Sequence, residues 1–367
     1  MPFAQYLSPL MDRFVASFFI WQRLALRDIH PPDIRSFMGG RMKALDPEYY
    51  HSKDIYRAEK QSIFFRSWVL VAHQEECREA GTQLARKIVD IPVLLWRTAE
   101  GVKAFMNICR HRGSPLVFEG ETRKGTMLSC RYHGWRYDEK GTLISVTDFG
   151  SSCPKLQLQE LFVQEIHGLI FIAIEKPQYA LEQCFTGVWK YLEKRQASQS
   201  FYKQLSHRLQ CNWKVYAENY LEGYHIPYVH PELAKEIRMS SYQVQVNNLE
   251  ISHHVEAKDG ARSEGYWAFL YPNLAINVYA TGVNIERILP ISETETEIQY
   301  WYFFDRQLTQ QEKEESIQFS ELVTKEDIQI CEAVQKNIAS GFHIPGPLSP
   351  RHENGLAAFQ GWVQRAL

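Results

Sequence analysis

The sequence CRHRGSP spans residues 109–115, and CRYHGW follows at residues 130–135. Each stretch places a cysteine and a histidine within four residues of each other. Thiolate and imidazole side chains at such spacing are typical of a metal site. The candidate ligands are Cys109, His111, Cys130 and His133.

Two kinds of metal site use two cysteines and two histidines. One is a structural zinc ion, and the other is a [2Fe–2S] cluster with two cysteines on one iron and two histidines on the other. The single residue between Cys109 and His111 favours the cluster, because zinc motifs more often leave two or more. Gly113 and Gly134 give both loops the freedom to wrap around a cluster.

The surroundings of the motif predict an antiparallel β domain. From Trp68 to Ile174, short apolar runs alternate with turn signals such as TAEG at 98–101 and DEKG at 138–141. Residues 175–209 read as connection and helix, a helix is expected near Cys211, strands at 242–305 and helices in the last 60 residues. The chain therefore has the pattern of an α+β protein.

A second group of candidate metal-ligating residues lies in the stretch ENYLEGYHIPYVH, at residues 218–230. His225 and His230 would lie on different faces of a continuous helix, so we expect a helix that ends near Pro227. Two histidines and one carboxylate form the facial triad of non-haem iron(II) oxygenases. The two histidines alone are weak evidence for an iron site. The evidence becomes stronger because they follow the cysteine–histidine motif in the chain.

The two motifs in this order resemble the α subunits of Rieske non-haem iron oxygenases. The resemblance implies a Rieske cluster, a mononuclear iron, and a helix-grip-like catalytic domain with a central antiparallel sheet and flanking helices. In that family the third iron ligand lies in a D-x4-E-x2-Q pattern, which Asp327, Glu332 and Gln335 match. The implied domains are a helical leader at 1–45, a Rieske domain at 46–175 and a catalytic domain at 176–367.

The resemblance also assigns a role to Glu222, three residues before His225. In the family an acid at this position connects an iron histidine to a cluster histidine of the neighbouring subunit, here His133. Such a bridge implies a ring of subunits, and a head-to-tail homotrimer closes one. Electrons are expected from a separate flavin or iron–sulfur reductase.

The same segment indicates the substrate class. ENYLEGYH resembles oxygenases of quaternary ammonium compounds, such as carnitine and glycine betaine oxygenases, and FLYPNLAINVY at 269–279 resembles choline monooxygenase. We therefore expect hydroxylation or N-demethylation of a small quaternary ammonium compound. Hydroxylation of an aromatic or other apolar molecule, and a pure electron-transfer Rieske protein, remain alternatives. Cation–π contacts would come from an aromatic cage, for which the candidates are Tyr266, Trp267, Tyr271 and Tyr279.

Composition excludes some partners. The net charge is −2, from 41 basic and 43 acidic residues, which is unlike a nucleic-acid-binding protein. Seven cysteines form no paired framework and no secretory signal is visible, so we expect a cytoplasmic protein. The apolar stretch at 14–21 is too short to span a bilayer and reads as an amphipathic helix.

Overall fold

The computed structural model describes residues 43–150, 153–195, 199–256, 258 and 265–367. The expected helix at 14–21 and nearly all of the leader at 1–45 lie outside these residues. The boundary between the two proposed domains at residues 175 and 176 stays a prediction.

The first part of the described chain forms three small antiparallel sheets. A 3-10 turn at Pro47–Tyr50 leads into helix α1 (Lys53–Glu59), which continues as one π-helical turn at Lys60–Phe64. The sheets have the orders β4-β3-β2-β5, β6-β7-β8 and β1-β10-β9. Their strands are β1 (Val69–His73), β2 (Thr82–Ile88), β3 (Ile91–Thr98), β4 (Gly101–Met106), β5 (Thr122–Lys124), β6 (Leu128–Ser129), β7 (Arg136–Tyr137), β8 (Leu143–Ser145), β9 (Phe162–Ile166) and β10 (Leu169–Ala173).

The expected turn at DEKG shows why these hairpins form. The Asp138 carboxylate accepts backbone N–H groups of Lys140 and Thr142, and Gly141 has a positive φ of 74°. A Cβ at Gly141 would lie 2.7 Å from the Phe105 ring. The turn therefore requires glycine both for its backbone and for the packing beneath it.

The second part is one seven-stranded antiparallel sheet with helices against it, as the α+β prediction requires. Its strand order is β11-β17-β16-β15-β14-β13-β12. The elements are α2 (Leu181–Cys184), α3 (Val188–Arg195), β11 (Gln199–Leu209), α4 (Trp213–Tyr220), α5 (Ile226–Val229), α6 (Pro231–Glu236), β12 (Gln243–Asn247), β13 (Glu250–Val255), β14 (Gly265–Leu270), β15 (Leu274–Tyr279), β16 (Gly282–Pro290), β17 (Thr296–Asp305), α7 (Gln310–Ile338) and α8 (Asn354–Ala366).

One local prediction was wrong here. Residues 199–209 were expected to be connection and helix, but they form the long edge strand β11, which pairs with β17 from Gln199 to Leu209. Its burial alternates, with one face covered. The pairing with the apolar β17 decides the structure of this segment and overrides its polar composition.

The two faces of the large sheet have different chemistry because successive side chains point to opposite sides. Ile276, Ile285 and Trp301 join an apolar cluster with residues of α2 and α3. Their neighbours Asn277, Glu286 and Tyr300 line a cavity on the other face. The sheet thus separates a packed core from a functional surface.

A buried ion pair connects α1 to α4. The Lys214 ammonium lies 2.6 Å from Glu59 Oε1, and neither side chain has any exposed surface. Asn212 Oδ1 accepts a second hydrogen bond from Lys214, and Glu59 Oε2 accepts the Trp213 indole N–H. Burial lowers the pKa of Lys214, although the Glu59 carboxylate opposes the shift. The pair joins the segment before the first sheet to the helix that precedes His225.

We expect Lys214→Met to lower the free energy of unfolding by about 3–5 kcal/mol, because the Glu59 charge would remain buried without a partner. Urea denaturation followed by fluorescence measures the change. Lys235→Met is the matched control, since Lys235 is 69% exposed and forms a surface ion pair with Glu232. An equal effect of both substitutions would contradict the prediction.

Candidate active site

The two loops of the first motif have the same backbone hydrogen bonds. Cys109 N donates to Ser114 O (2.8 Å) and Gly113 N to Cys109 O (3.0 Å). In the second loop Cys130 N donates to Trp135 O (2.8 Å) and Gly134 N to Cys130 O (2.9 Å). Each glycine has φ near 70° and lies four residues after its cysteine. The two loops are therefore structural copies that face each other.

The loops bring all four predicted cluster ligands together. Cys109 and Cys130 are each 2% exposed and close enough to share a hydrogen bond. His111 Nδ1 and His133 Nδ1 lie 3.1 Å apart at the surface. Two buried sulfur donors and two outer nitrogen donors match the ligand set of a Rieske cluster, in which histidines serve one of the two irons.

Two residues that the sequence did not reveal support these loops. The Tyr137 hydroxyl lies 3.2 Å from Cys109 Sγ and accepts the N–H of Arg110 (3.1 Å). Burial raises the pKa of the Cys109 thiol, and the hydrogen bond to Tyr137 lowers it. The buried Asn107 amide accepts the N–H groups of Leu116 and Val117. Neither residue belongs to a recognisable spacing pattern, so only the folded structure identifies them.

The second motif is placed by a helix that ends earlier than expected. Helix α4 ends at Tyr220, and His225 lies in the turn that follows. Pro227 does not end this helix; it occupies the first turn of α5, where its missing N–H costs nothing. The prediction that a helix ends near Pro227 was therefore wrong, although the two imidazoles do meet.

The three predicted iron ligands converge. One ligand atom from each of His225, His230 and Asp327 lies within 4.8 Å of the others. Asp327 Oδ1 is 3.0 Å from His230 Nε2 and 3.8 Å from His225 Nε2. Two imidazoles and one carboxylate on one side of a centre form the facial triad that non-haem iron(II) uses.

Each histidine is oriented by a glutamate. His225 Nδ1 lies 2.6 Å from Glu222 Oε1, and His230 Nδ1 lies 2.7 Å from Glu326 Oε2. Both Nε2 atoms are thus directed to the triad, as in carboxylate–histidine–metal arrangements. Burial lowers the pKa of His230, but Asp327 and Glu326 outweigh it, and the net shift is upward. Glu222 follows from the sequence motif, whereas no spacing pattern indicates Glu326.

The D-x4-E-x2-Q pattern of α7 has a physical explanation. Asp327 Oδ1 accepts the Asn219 side-chain N–H (2.6 Å). Glu332 accepts the N–H of Gln210, and Gln335 accepts the N–H of Asn212, both at 2.9 Å. All three side chains of the pattern therefore bind the segment around α4. They hold the carboxylate of α7 in register with the helix that leads to His225.

A cavity of about 570 Å³ opens beside the triad. Among the four cage candidates, Trp267 and Tyr279 line it. Tyr266 lies on the other face of the sheet, stacked on Tyr191, and Tyr271 packs against Trp362 in the core. Further aromatic walls, which sequence analysis did not name, come from Tyr216, Tyr220, Tyr242, Tyr300, Tyr302, Phe304 and Phe319.

Two family descriptions match the chain. Residues 67–159 match the Rieske [2Fe-2S] domain. Residues 197–262 and 243–367 match the catalytic domain of the ring hydroxylating alpha subunit.

Curated relatives cover most of the chain. Choline monooxygenase of Beta vulgaris is 26% identical over 366 residues, with 92% of this chain and 82% of the relative aligned. The carnitine monooxygenase oxygenase subunit of Escherichia coli K12 is 27% identical over 343 residues, with 85% of this chain and 90% of the relative aligned.

Solved structures share the fold. The quaternary ammonium Rieske monooxygenase CntA in complex with L-carnitine has a TM-score of 0.78 at 23% identity, over 89% of this chain and 96% of that one. Naphthalene 1,2-dioxygenase from Rhodococcus sp. has a TM-score of 0.73 at 17% identity, over 88% of this chain and 94% of that one.

Within the described residues, no helix has the length and apolar character needed to cross a bilayer.

The expected α+β architecture, with an antiparallel Rieske part and a sheet-and-helix catalytic part, is confirmed by these structural neighbours. Both halves of the oxygenase are present in one chain, in the order that the motifs indicated. The chain belongs to the α subunits of Rieske non-haem iron oxygenases, oxidoreductases that carry a [2Fe–2S] cluster and a mononuclear iron.

Proposed function

We propose that this chain uses O₂ and two electrons to hydroxylate or N-demethylate a small quaternary ammonium compound. The observation that carries the proposal is the convergence of His225, His230 and Asp327 beside an aromatic cavity. The choline and carnitine monooxygenases among its relatives support the substrate class. Aromatic rings hold a quaternary ammonium ion through cation–π attraction.

In this proposal Cys109, His111, Cys130 and His133 hold the cluster, and His225, His230 and Asp327 hold the iron. When bound, the cluster supplies electrons one at a time and the iron supplies O₂ activation. A substrate C–H bond, O₂, two electrons and two protons give a C–OH group and water. Hydroxylation of an N-methyl group is followed by loss of formaldehyde, which leaves the demethylated amine.

The chain's own residues set the geometry of this reaction. Glu222 and Glu326 keep both imidazoles in the tautomer that presents Nε2 to the iron. Asn219 fixes the Asp327 carboxylate from the α4 side. The aromatic walls position the substrate and exclude water from it.

Glu222 also forms one half of a proposed bridge between subunits. Its side chain is 12% exposed, and its Oε1 already binds His225. Its Oε2 accepts the backbone N–H groups of Tyr224 and His225. We propose that it accepts a further hydrogen bond from His133 of the partner subunit in a head-to-tail homotrimer. A separate flavin or iron–sulfur reductase is the proposed electron donor, and the cytoplasm is the proposed location.

Glu222→Gln is expected to slow electron transfer from the cluster to the iron by about tenfold to a hundredfold. An amide offers one acceptor oxygen, so it serves two imidazoles poorly. Stopped-flow absorbance of the reduced cluster, mixed with O₂ and substrate, measures the rate. Glu326→Gln is the control, because Glu326 binds the other imidazole, that of His230; it should weaken iron retention instead. Equal transfer rates in the two variants at matched iron content would refute the bridge.

Asp327→Asn is expected to remove the mononuclear iron and leave the cluster intact, because the amide brings no charge to the cation. Iron analysis should fall from about three to about two atoms per subunit, with the visible cluster spectrum unchanged. Cys153→Ser, at an exposed thiol outside both sites, should retain all the iron. Unchanged iron content in Asp327→Asn would exclude Asp327 as a ligand.

The substrate class is tested by single turnover. Protein with both centres reduced chemically is exposed to O₂ with choline, glycine betaine, carnitine or aromatic acids separately, and products are read by mass spectrometry. We expect an oxygenated or demethylated ammonium product. Turnover of aromatic acids alone would overturn the proposed substrate class and leave the oxygenase assignment unchanged.

A further inference from the structure

The charge of the cavity is one-sided. Among its lining residues in the described parts of the chain there is no lysine and no arginine. Six acids line it, of which Glu222 and Asp327 belong to the iron site, and the others are Glu236, Glu286, Glu312 and Glu315. A ligand that enters this space therefore meets acidic side chains and aromatic surface.

Glu286 differs from the other acids in its depth. It lies in the middle of β16 and is 3% exposed. The Tyr300 hydroxyl donates to its Oε1 at 3.0 Å, and the Tyr216 hydroxyl lies 2.9 Å from that of Tyr300. Within the described residues, no lysine, arginine or histidine forms an ion pair with it. Two phenols thus hold a buried carboxyl group that has no cationic partner.

The sheet register places Glu286 on the face of the sheet that lines the cavity. Glu286 is paired with Ala275 on β15 and with Tyr300 on β17. Directly opposite residues of neighbouring strands share a face of the sheet. One neighbour is thus only a methyl group, and the other is the phenol that binds the carboxyl group.

The pKa of Glu286 reflects the energetic cost of burying its carboxyl group. Burial raises the pKa of Glu286 to about 7, against the hydrogen bonds from Tyr216 and Tyr300, and Asp327 raises it further. A buried carboxylate is costly unless it is paired. A cation in the cavity would supply that pair, and a neutral ligand would not.

We infer that Glu286 is the counter-ion of the substrate's quaternary nitrogen, and that the preferred substrate carries no carboxylate of its own. The inference rests on the proposed function and narrows it to cations such as choline. A carboxylate on the substrate would add negative charge beside Glu286, and the lining residues that the structure describes include no lysine or arginine to receive it. Trp267 and Tyr279 on the neighbouring strands supply aromatic surface for the methyl groups.

Choline and its neutral carbon isostere, 3,3-dimethylbutan-1-ol, separate charge from shape. Both are titrated by calorimetry into oxidised, iron-loaded protein without reductase, so that no turnover occurs. Wild type is expected to bind choline at least about tenfold more tightly than the isostere, because the ion pair forms in a low-dielectric cavity. Glycine betaine and carnitine are expected to bind at least about tenfold more weakly than choline for the same reason.

Glu286→Gln removes the charge and keeps the shape and the hydrogen bond from Tyr300. It should lower the choline-to-isostere ratio by about tenfold, with the remaining preference coming from the aromatic rings, while isostere affinity changes by less than about threefold. Glu297→Gln on β17 is the matched control, because Glu297 lies outside the cavity and its carboxylate accepts a hydrogen bond from Gln299 of the same strand. That variant should keep the wild-type ratio.

Each outcome decides one proposal. Equal binding of choline and the isostere by wild type, or an unchanged ratio in Glu286→Gln, would overturn the counter-ion role. Preference for carnitine over choline would overturn the exclusion of carboxylates. If Glu286→Gln loses the visible cluster spectrum, the wild-type ratios decide alone. Failure of every ammonium compound to bind or react would instead overturn the proposed function.

Discussion

The catalytic centre depends on the register between α4 and α7. The two histidines follow α4, whereas Asp327 comes from the middle of α7, about a hundred residues later in the chain. Hydrogen bonds from Gln210, Asn212 and Asn219 to acceptors on α7 fix how these helices lie against each other. A shift of one residue along α7 would rotate the carboxylate by about 100° away from the imidazoles. The triad is therefore a consequence of helix packing more than of the local histidine motif.

The two metal centres are held by different kinds of structure. The cluster ligands sit on two short loops whose backbone hydrogen bonds are internal to each loop. Such a site is determined by local sequence and lies at the surface, where an electron donor can approach. The iron ligands are supplied by separate elements around a cavity. That site requires the whole sheet and its helices to be in place.

This difference explains what sequence analysis could predict. The four proposed cluster ligands could be named from their spacing, because glycine turns and chelating side chains lie together in the chain. Asp327 followed only from the family pattern, since Glu326 beside it is equally acidic. Glu326, Tyr137 and Glu286 act through contacts that no local pattern encodes. Of the four aromatic residues predicted to form a cage, Trp267 and Tyr279 line the cavity, whereas Tyr266 and Tyr271 do not. Strand alternation puts Tyr266 and Trp267 on opposite faces of the sheet, and which face lines the cavity depends on packing.

The alternation of the large sheet also affects how this protein can diversify. Side chains such as Asn277, Asn284 and Tyr302 face the cavity, while Ile276, Ile285 and Trp301 hold the strands against the opposite core. Evolution can therefore exchange cavity residues one at a time while the scaffold keeps its shape. Single mutations at these inward positions can therefore alter the substrate range while the apolar packing on the opposite face is retained.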